Sequence, residues 1–477
     1  MMSKKIALYY LISTALVLFL QFFTYGQDIS LTIGVDAEKH SARVEGEFLP
    51  GFTEIGNSLV FRKSVIGNVD LSTRISDVTL MQDNLTVAGE MVAPGLITAK
   101  GKFSRWSCSV DLSPAKNRAA AAHASWVGDG VGVLMLDDLV PQLSENGKAV
   151  SATVKLNLPN GWSFQTSEKC KDGQLTVPSL ERSVIFIGKD LRNIASQEQK
   201  ASTDLTLSGS WIFTDAEAEQ MVDEINSEYT RLLGPLPVRP RVAIMRFPTN
   251  ESPGVWEAET RGETVTIISS DMHFKTQSQQ RLHEQLRHEI FHLWFPNGVD
   301  LKGNYAWFYE GFALYESLKL GVKLERIGFD DLLDTLSRAF TIDANQKPRR
   351  PLTGPDASTE VYARGMIVAF LLDLDLLKGS NGKYGSTEAL AEIFRLNKRP
   401  GRPVKANDEI TSRLGIRQPI SDYVLGAKPI EWQTALSTAG IAATTSGRTT
   451  TLALLPKLTG DQKAILRQLG YNNQRKR

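Results

Sequence analysis

The stretch His288-Glu289-Ile290-Phe291-His292 is followed, after 14 intervening residues, by Trp307-Phe308-Tyr309-Glu310-Gly311-Phe312-Ala313. On a helix of 3.6 residues per turn, His288 and His292 stand one turn apart on one face, so both imidazoles reach a single metal ion. Glu289 projects beside them, where it can deprotonate a water on that metal. A zinc ion held for catalysis takes three protein ligands and keeps one position open, and Glu310 is the third ligand. The pattern predicts a zinc-dependent hydrolase with one Zn2+ per chain.

A bare His-Glu-x-x-His also arises on amphipathic helices as a polar face with two satisfied histidines. Three features favour the metal. Four of the six histidines (His273, His283, His288, His292) fall within 20 residues. The segment from Gln277 to Phe295 has helical spacing, with Leu282, Leu286 and Leu293 on its apolar stripe and Pro296 stopping it. Glu310 is the one carboxylate in an apolar, aromatic helix start, and a buried carboxylate needs a partner. His283-Glu284 forms no second motif because Arg287 occupies the closing position, so His283 is expected beside the site or at the surface.

These residues resemble the gluzincin metallopeptidases, the group that includes aminopeptidase N, and within it most the glycyl aminopeptidase family. Val361-Tyr362-Ala363-Arg364-Gly365, running on into Met366 to Leu374, is similar to that family's Tyr-x-(Lys/Arg)-Gly helix. Leu158-Pro159-Asn160-Gly161-Trp162 resembles its N-terminal strand, and Tyr423 to Gly426 with Trp432 and Ala439-Gly440-Ile441 resembles the end of its helical region. The resemblance spans most of residues 30 to 441. It implies a multidomain α+β chain: an N-terminal β-sandwich or saddle-like domain, then a thermolysin-like zinc-peptidase domain with a mainly helical C-terminal part. Two departures stand out. Only 36 residues follow Ile441, too few for the family's PDZ module. The spacer from His292 to Glu310 is 17 residues, one fewer than in aminopeptidase N relatives.

The resemblance also implies roles. Tyr362 matches the catalytic tyrosine, whose neutral hydroxyl would donate to the tetrahedral oxyanion; packing into the core at a helix start is the plainer reading. Gly254-Val255-Trp256-Glu257-Ala258 keeps only the first Gly and the Glu of the aminopeptidase N signature. An aminopeptidase needs a carboxylate for the free α-ammonium, and Glu257 is the candidate, with Glu259 and Glu316 as alternatives. Trp307 and Phe308 read as core.

The N-terminus reads as an export signal: Lys4 and Lys5 precede 18 uncharged residues, Ile6 to Phe23, with cleavage expected after Gly26. Left uncleaved, the run is long enough to tether the chain to a membrane. Removing the leader leaves 52 basic against 53 acidic residues, which argues against nucleic acid as a partner and for a peptide or protein substrate. Cys108 and Cys170 are the only cysteines, and either a bridge or two free thiols is open.

The organisation expected is a leader over 1–26, a β domain over 27–210, the zinc domain over 211–325, its helical continuation over 326–441 and a tail over 442–477. Thr214 with Glu217 predicts a capping box opening a helix that Gly234-Pro235 closes. The function expected is an exported zinc aminopeptidase. The alternatives are an endopeptidase on the same scaffold, and an inactive peptide-binding relative, against which the full set of His288, Glu289, His292, Glu310 and Tyr362 speaks.

Overall fold

The computed structural model describes residues 27–52, 56–143, 149–194, 203–354, 360–415 and 417–471. The expected leader lies outside them. Among the described residues no helix is long and apolar enough to cross a membrane.

Strand Ile29–Asp36 buries every second residue, from Ile29 through Leu31 and Ile33 to Val35. That alternation fits a sheet with one covered face. The strand pairs in parallel with Ala152–Asn157 and antiparallel with Ser41–Phe48, inside an eight-stranded sheet. A four-stranded sheet covers it, and its strand Val184–Gly188 is buried on both faces. Ile185 and Ile187 point into the core of the first sheet. Val184 and Phe186 point the other way, onto Ala243, Met245 and Ile268. The strand thus joins the N-terminal β domain to the sheet beneath the zinc motif.

That next sheet is five-stranded, in the order Arg192–Ile194, Asp204–Leu207, Arg241–Arg246, Thr264–Ser269, Trp256–Arg261. Its central strands are parallel, and Trp256–Arg261 is an antiparallel edge. Because Arg192–Ile194 and Asp204–Leu207 already belong to it, the sheet begins before residue 211. Its second face, with Val242, Ile244, Val265 and Ile267, packs on helices. The first of these, Asp215–Leu233, has the expected Thr214–Glu217 capping box and ends at Gly234, whose φ is +99°.

The zinc-motif helix, Lys275–Phe291, stops short of the expected Phe295: His292 is its C-cap, and the chain tightens there into turns ahead of Pro296. The Glu310 helix, Ala306–Lys323, and the Tyr362 helix, Glu360–Gly379, pack directly on each other. Phe329–Asn345, Ser386–Asn397, Ala406–Leu414 and the short Gln433–Thr438 continue the helical part. The expected tail is structured up to residue 471. It forms a hairpin of Ile441–Ser446 and Thr449–Leu454, then a helix, Gly460–Gln468. Ser337 Oγ accepts from the Leu452 amide at 2.9 Å, tying the hairpin to the helices.

Cys108 and Cys170 are both free, one buried and one exposed. Their strands are five steps apart in the eight-stranded sheet, about 24 Å at the usual strand spacing, far beyond disulfide reach.

Candidate active site

The zinc-motif helix lies under the edge strand and presents His288, Glu289 and the capping His292 to the start of the Glu310 helix. The Nε2 atoms of His288 and His292 are 3.2 Å apart, and each is 3.6 Å from Glu310 Oε2. Ligands about 2.0–2.1 Å from a tetrahedral zinc stand about 3.3 Å from one another, so the triangle fits that ion. His292 Nδ1 donates to the Phe295 carbonyl at 2.8 Å, which leaves Nε2 free to ligate. Burial disfavours a charged His292, but the Glu310 carboxylate outweighs it and lifts the pKa to about 9, so a metal at Nε2 would displace a proton. Burial likewise opposes ionisation of Glu310, yet His292 and His288 hold it far below the usual carboxylate range.

Glu289 is buried, and the edge strand holds it. The Thr260 hydroxyl stands 2.9 Å from the Glu289 carbonyl oxygen and 3.0 Å from its Oε2. Thr260 had no signal in the sequence, because its partner lies 29 positions away.

Tyr362 is 44% exposed and lines, with His288, a groove of about 1240 Å³. Burial of its hydroxyl and the nearby Glu310 raise its pKa well above the ordinary value, so the phenol stays a neutral donor. Its place is fixed by the residues that follow it. Arg364 is buried and anchors the helix start through Asp343 Oδ1 at 2.9 Å, the Tyr423 carbonyl at 2.9 Å and the Lys428 carbonyl at 2.6 Å. Gly365 meets Gly311 where the two helices cross. A Cβ on Gly311 would collide with the Gly365 backbone, and one on Gly365 would stand 2.8 Å from the Trp307 carbonyl oxygen. The glycines of both motifs thus serve a backbone-to-backbone contact.

Glu257 is not brought to the metal ligands. Strand alternation turns Thr260 to the zinc-motif helix and Glu257 to the opposite face. There its carboxylate stands 3.6 Å from Arg118 Nε, and burial raises its pKa. Glu259, on the same face, is held between His123 Nδ1 at 3.0 Å and Arg261 Nε at 2.9 Å. Glu316 belongs to a buried cluster away from the triangle, 2.5 Å from Ser386 Oγ and 3.3 Å from Lys319 Nζ. Of the three carboxylates, Glu257 is the least committed, since its partner Arg118 is largely exposed. Trp307 and Phe308 are core, as expected. His283 is buried rather than superficial.

No family model matches this sequence, and no curated protein does. Solved structures do. A protein of the aminopeptidase N family from Idiomarina loihiensis aligns with a TM-score of 0.70 at 15% identity, over 87% of this chain and 79% of that one. An M1 zinc metallopeptidase mutant from Deinococcus radiodurans, bound to a Tyr-Ser-Ala substrate, aligns at 0.56 and 15%, over 85% and 95% of the two chains. A further structure of the Deinococcus radiodurans M1 zinc metallopeptidase aligns at 0.53 and 14%, over 85% and 94%. At such identities the likeness is one of fold. The chain has the multidomain architecture of these peptidases, with an N-terminal β domain and a helical C-terminal part.

Proposed function

We propose that this chain is an exported zinc-dependent metallopeptidase of the aminopeptidase N type, acting on peptide N-termini. The observation that carries the reading is the triangle of His288, His292 and Glu310, at zinc spacing and with Glu289 and Tyr362 beside it. The folds it resembles support the same class. Its relation to the glycyl aminopeptidases rests on the sequence motifs alone.

When bound, one zinc ion supplies Lewis acidity toward a water and a peptide carbonyl. The chain's own residues do the rest. Thr260 holds the Glu289 carboxylate, which takes the proton of the attacking water and passes it to the leaving amine. Tyr362 donates a hydrogen bond to the oxyanion. Glu257, the carboxylate expected to receive the substrate's α-ammonium, lies instead on the opposite face of its strand, paired with Arg118. The Arg118 pairing favours a second reading, an endopeptidase, because a carboxylate already neutralised binds an ammonium less well. The near-balanced charge suits peptide rather than nucleic acid substrates, and export rests on the leader sequence.

The test is hydrolysis of matched free and N-acetylated peptides by the mature protein, with zinc content assayed alongside. Cleavage of the free forms alone, lost in Glu289→Gln, supports the aminopeptidase. Equal cleavage of blocked peptides selects the endopeptidase. Absence of both zinc and cleavage overturns the reading.

A further inference from the structure

The groove that starts at His288 and Tyr362 runs back along the zinc-motif helix, past Trp256 and Arg281, to Arg326. Most charges near it are paired. Arg281 bonds Glu284 at 2.8 Å, and Arg326 bonds Glu224 at 2.5 Å. Arg287 is different. It is only 3% exposed, lines the groove, and has no carboxylate within bonding distance among the described residues. Its Nε donates to the Ser317 carbonyl at 2.8 Å and its Nη1 to His283 Nδ1 at 2.5 Å. Nη2 makes no hydrogen bond among the described residues. Burial and Arg287 itself push the His283 pKa down to about 3, so the ring is neutral and accepts at Nδ1. Its Nε2–H then faces Glu224 Oε2, 3.5 Å away. A buried guanidinium is thus aimed and oriented, with its charge not met by any direct counter-ion.

We propose that Arg287 is a subsite for a substrate carboxylate, bound in the groove on the carboxyl side of the scissile bond. The proposal rests on the aminopeptidase reading: such a substrate has one residue on the amino side, so a groove leading away from the metal must hold the other side. Ser317, which bonds the guanidinium, lies about two helical turns, about 10 Å, beyond Glu310. Extended chain covers that span in about three residues. The carboxylate is therefore the C-terminus of a short peptide or an acidic side chain at the same depth. Charge-assisted pairing with a desolvated guanidinium would make it a strong selector.

The experiment is calorimetric binding to the zinc-loaded Glu289→Gln variant, which separates recognition from turnover. Leu-Gly-Gly-Gly is compared with its C-terminal amide, and Leu-Gly-Gly-Glu-amide with Leu-Gly-Gly-Gln-amide; the pair that discriminates identifies the source of the carboxylate. We expect the carboxylate form of one pair to bind at least about tenfold tighter, and Arg287→Gln to remove that difference. Equal affinities within both pairs overturn the proposal, and that comparison stands even where Arg287→Gln does not fold. Turnover of the same peptides by the unmutated enzyme keeps the two readings apart. Cleavage without carboxylate preference sinks the subsite alone, and carboxylate-dependent binding without cleavage sinks the peptidase reading alone.

Discussion

Glu289 must present one carboxylate oxygen to a water and keep the other still, and Thr260 is the side chain that does the holding. Thr260→Val removes the donor while keeping the shape. It should lower kcat about tenfold with zinc content unchanged, and Thr260→Ser should restore most of the loss; steady-state kinetics with metal analysis checks both. Tyr362→Phe should lower kcat about 100-fold with KM little moved, because the lost donor serves the transition state; a KM-only effect would contradict the role. At this scale the sequence was informative where the chemistry is local. His288, Glu289 and His292 share one helical turn, and Glu310 announces itself as a lone acid in an apolar run. Thr260 and the Arg287–His283 pair were not legible. Each is defined by a contact made through the fold, and a threonine in a strand or an arginine in a helix has no distinguishing neighbour pattern.

The helix opened at Thr214 came through in the sequence intact, since caps are read within one element. The zinc-motif helix differs at its end, because His292 caps it and the aromatic turns after it keep a helix-like pattern. The glycines of the two motifs make sense only at the level of paired elements. Gly365→Ala should force the Tyr362 helix away from the Glu310 helix and destabilise the protein by about 1–3 kcal/mol. Its Tm should fall, and the surviving folded fraction should bind zinc yet turn over slowly, because the phenol and the metal ligand have been moved apart. A variant as stable and active as the parent would show that the contact is slack.

Across the whole molecule the join between the β domain and the catalytic sheet is partly ionisable. Ser167 and Thr264 hydroxyls meet there at 3.0 Å, and burial pushes the neighbouring Glu168 up to about 7. The folded state therefore holds this proton where the unfolded chain, with a carboxyl near 4.5, has lost it. By linkage its contribution is full below about pH 4.5 and is lost as pH rises through about 7. Glu168→Gln should then raise Tm at pH 8 but not at pH 4, read by thermal melts across that range. The join itself was hard to foresee: Ile29–Asp36 pairs with a strand more than a hundred residues away, and the two short strands that begin the catalytic sheet carry little pattern of their own. The same long-range order decided the cysteines, which no spacing rule could place on distant strands.

The crossing of Gly311 and Gly365 acts as a fulcrum. Tyr362 sits about 4.5 Å along its helix from that point and the far end at Gly379 about 21 Å, so a tilt of about 10° moves the first by under 1 Å and the second by nearly 4 Å. The Glu310 ligand lies beside the same pivot on the other rod. Leverage applied at the periphery, whether by thermal agitation or by drift of surface residues over evolutionary time, is damped at the node where the reaction would occur.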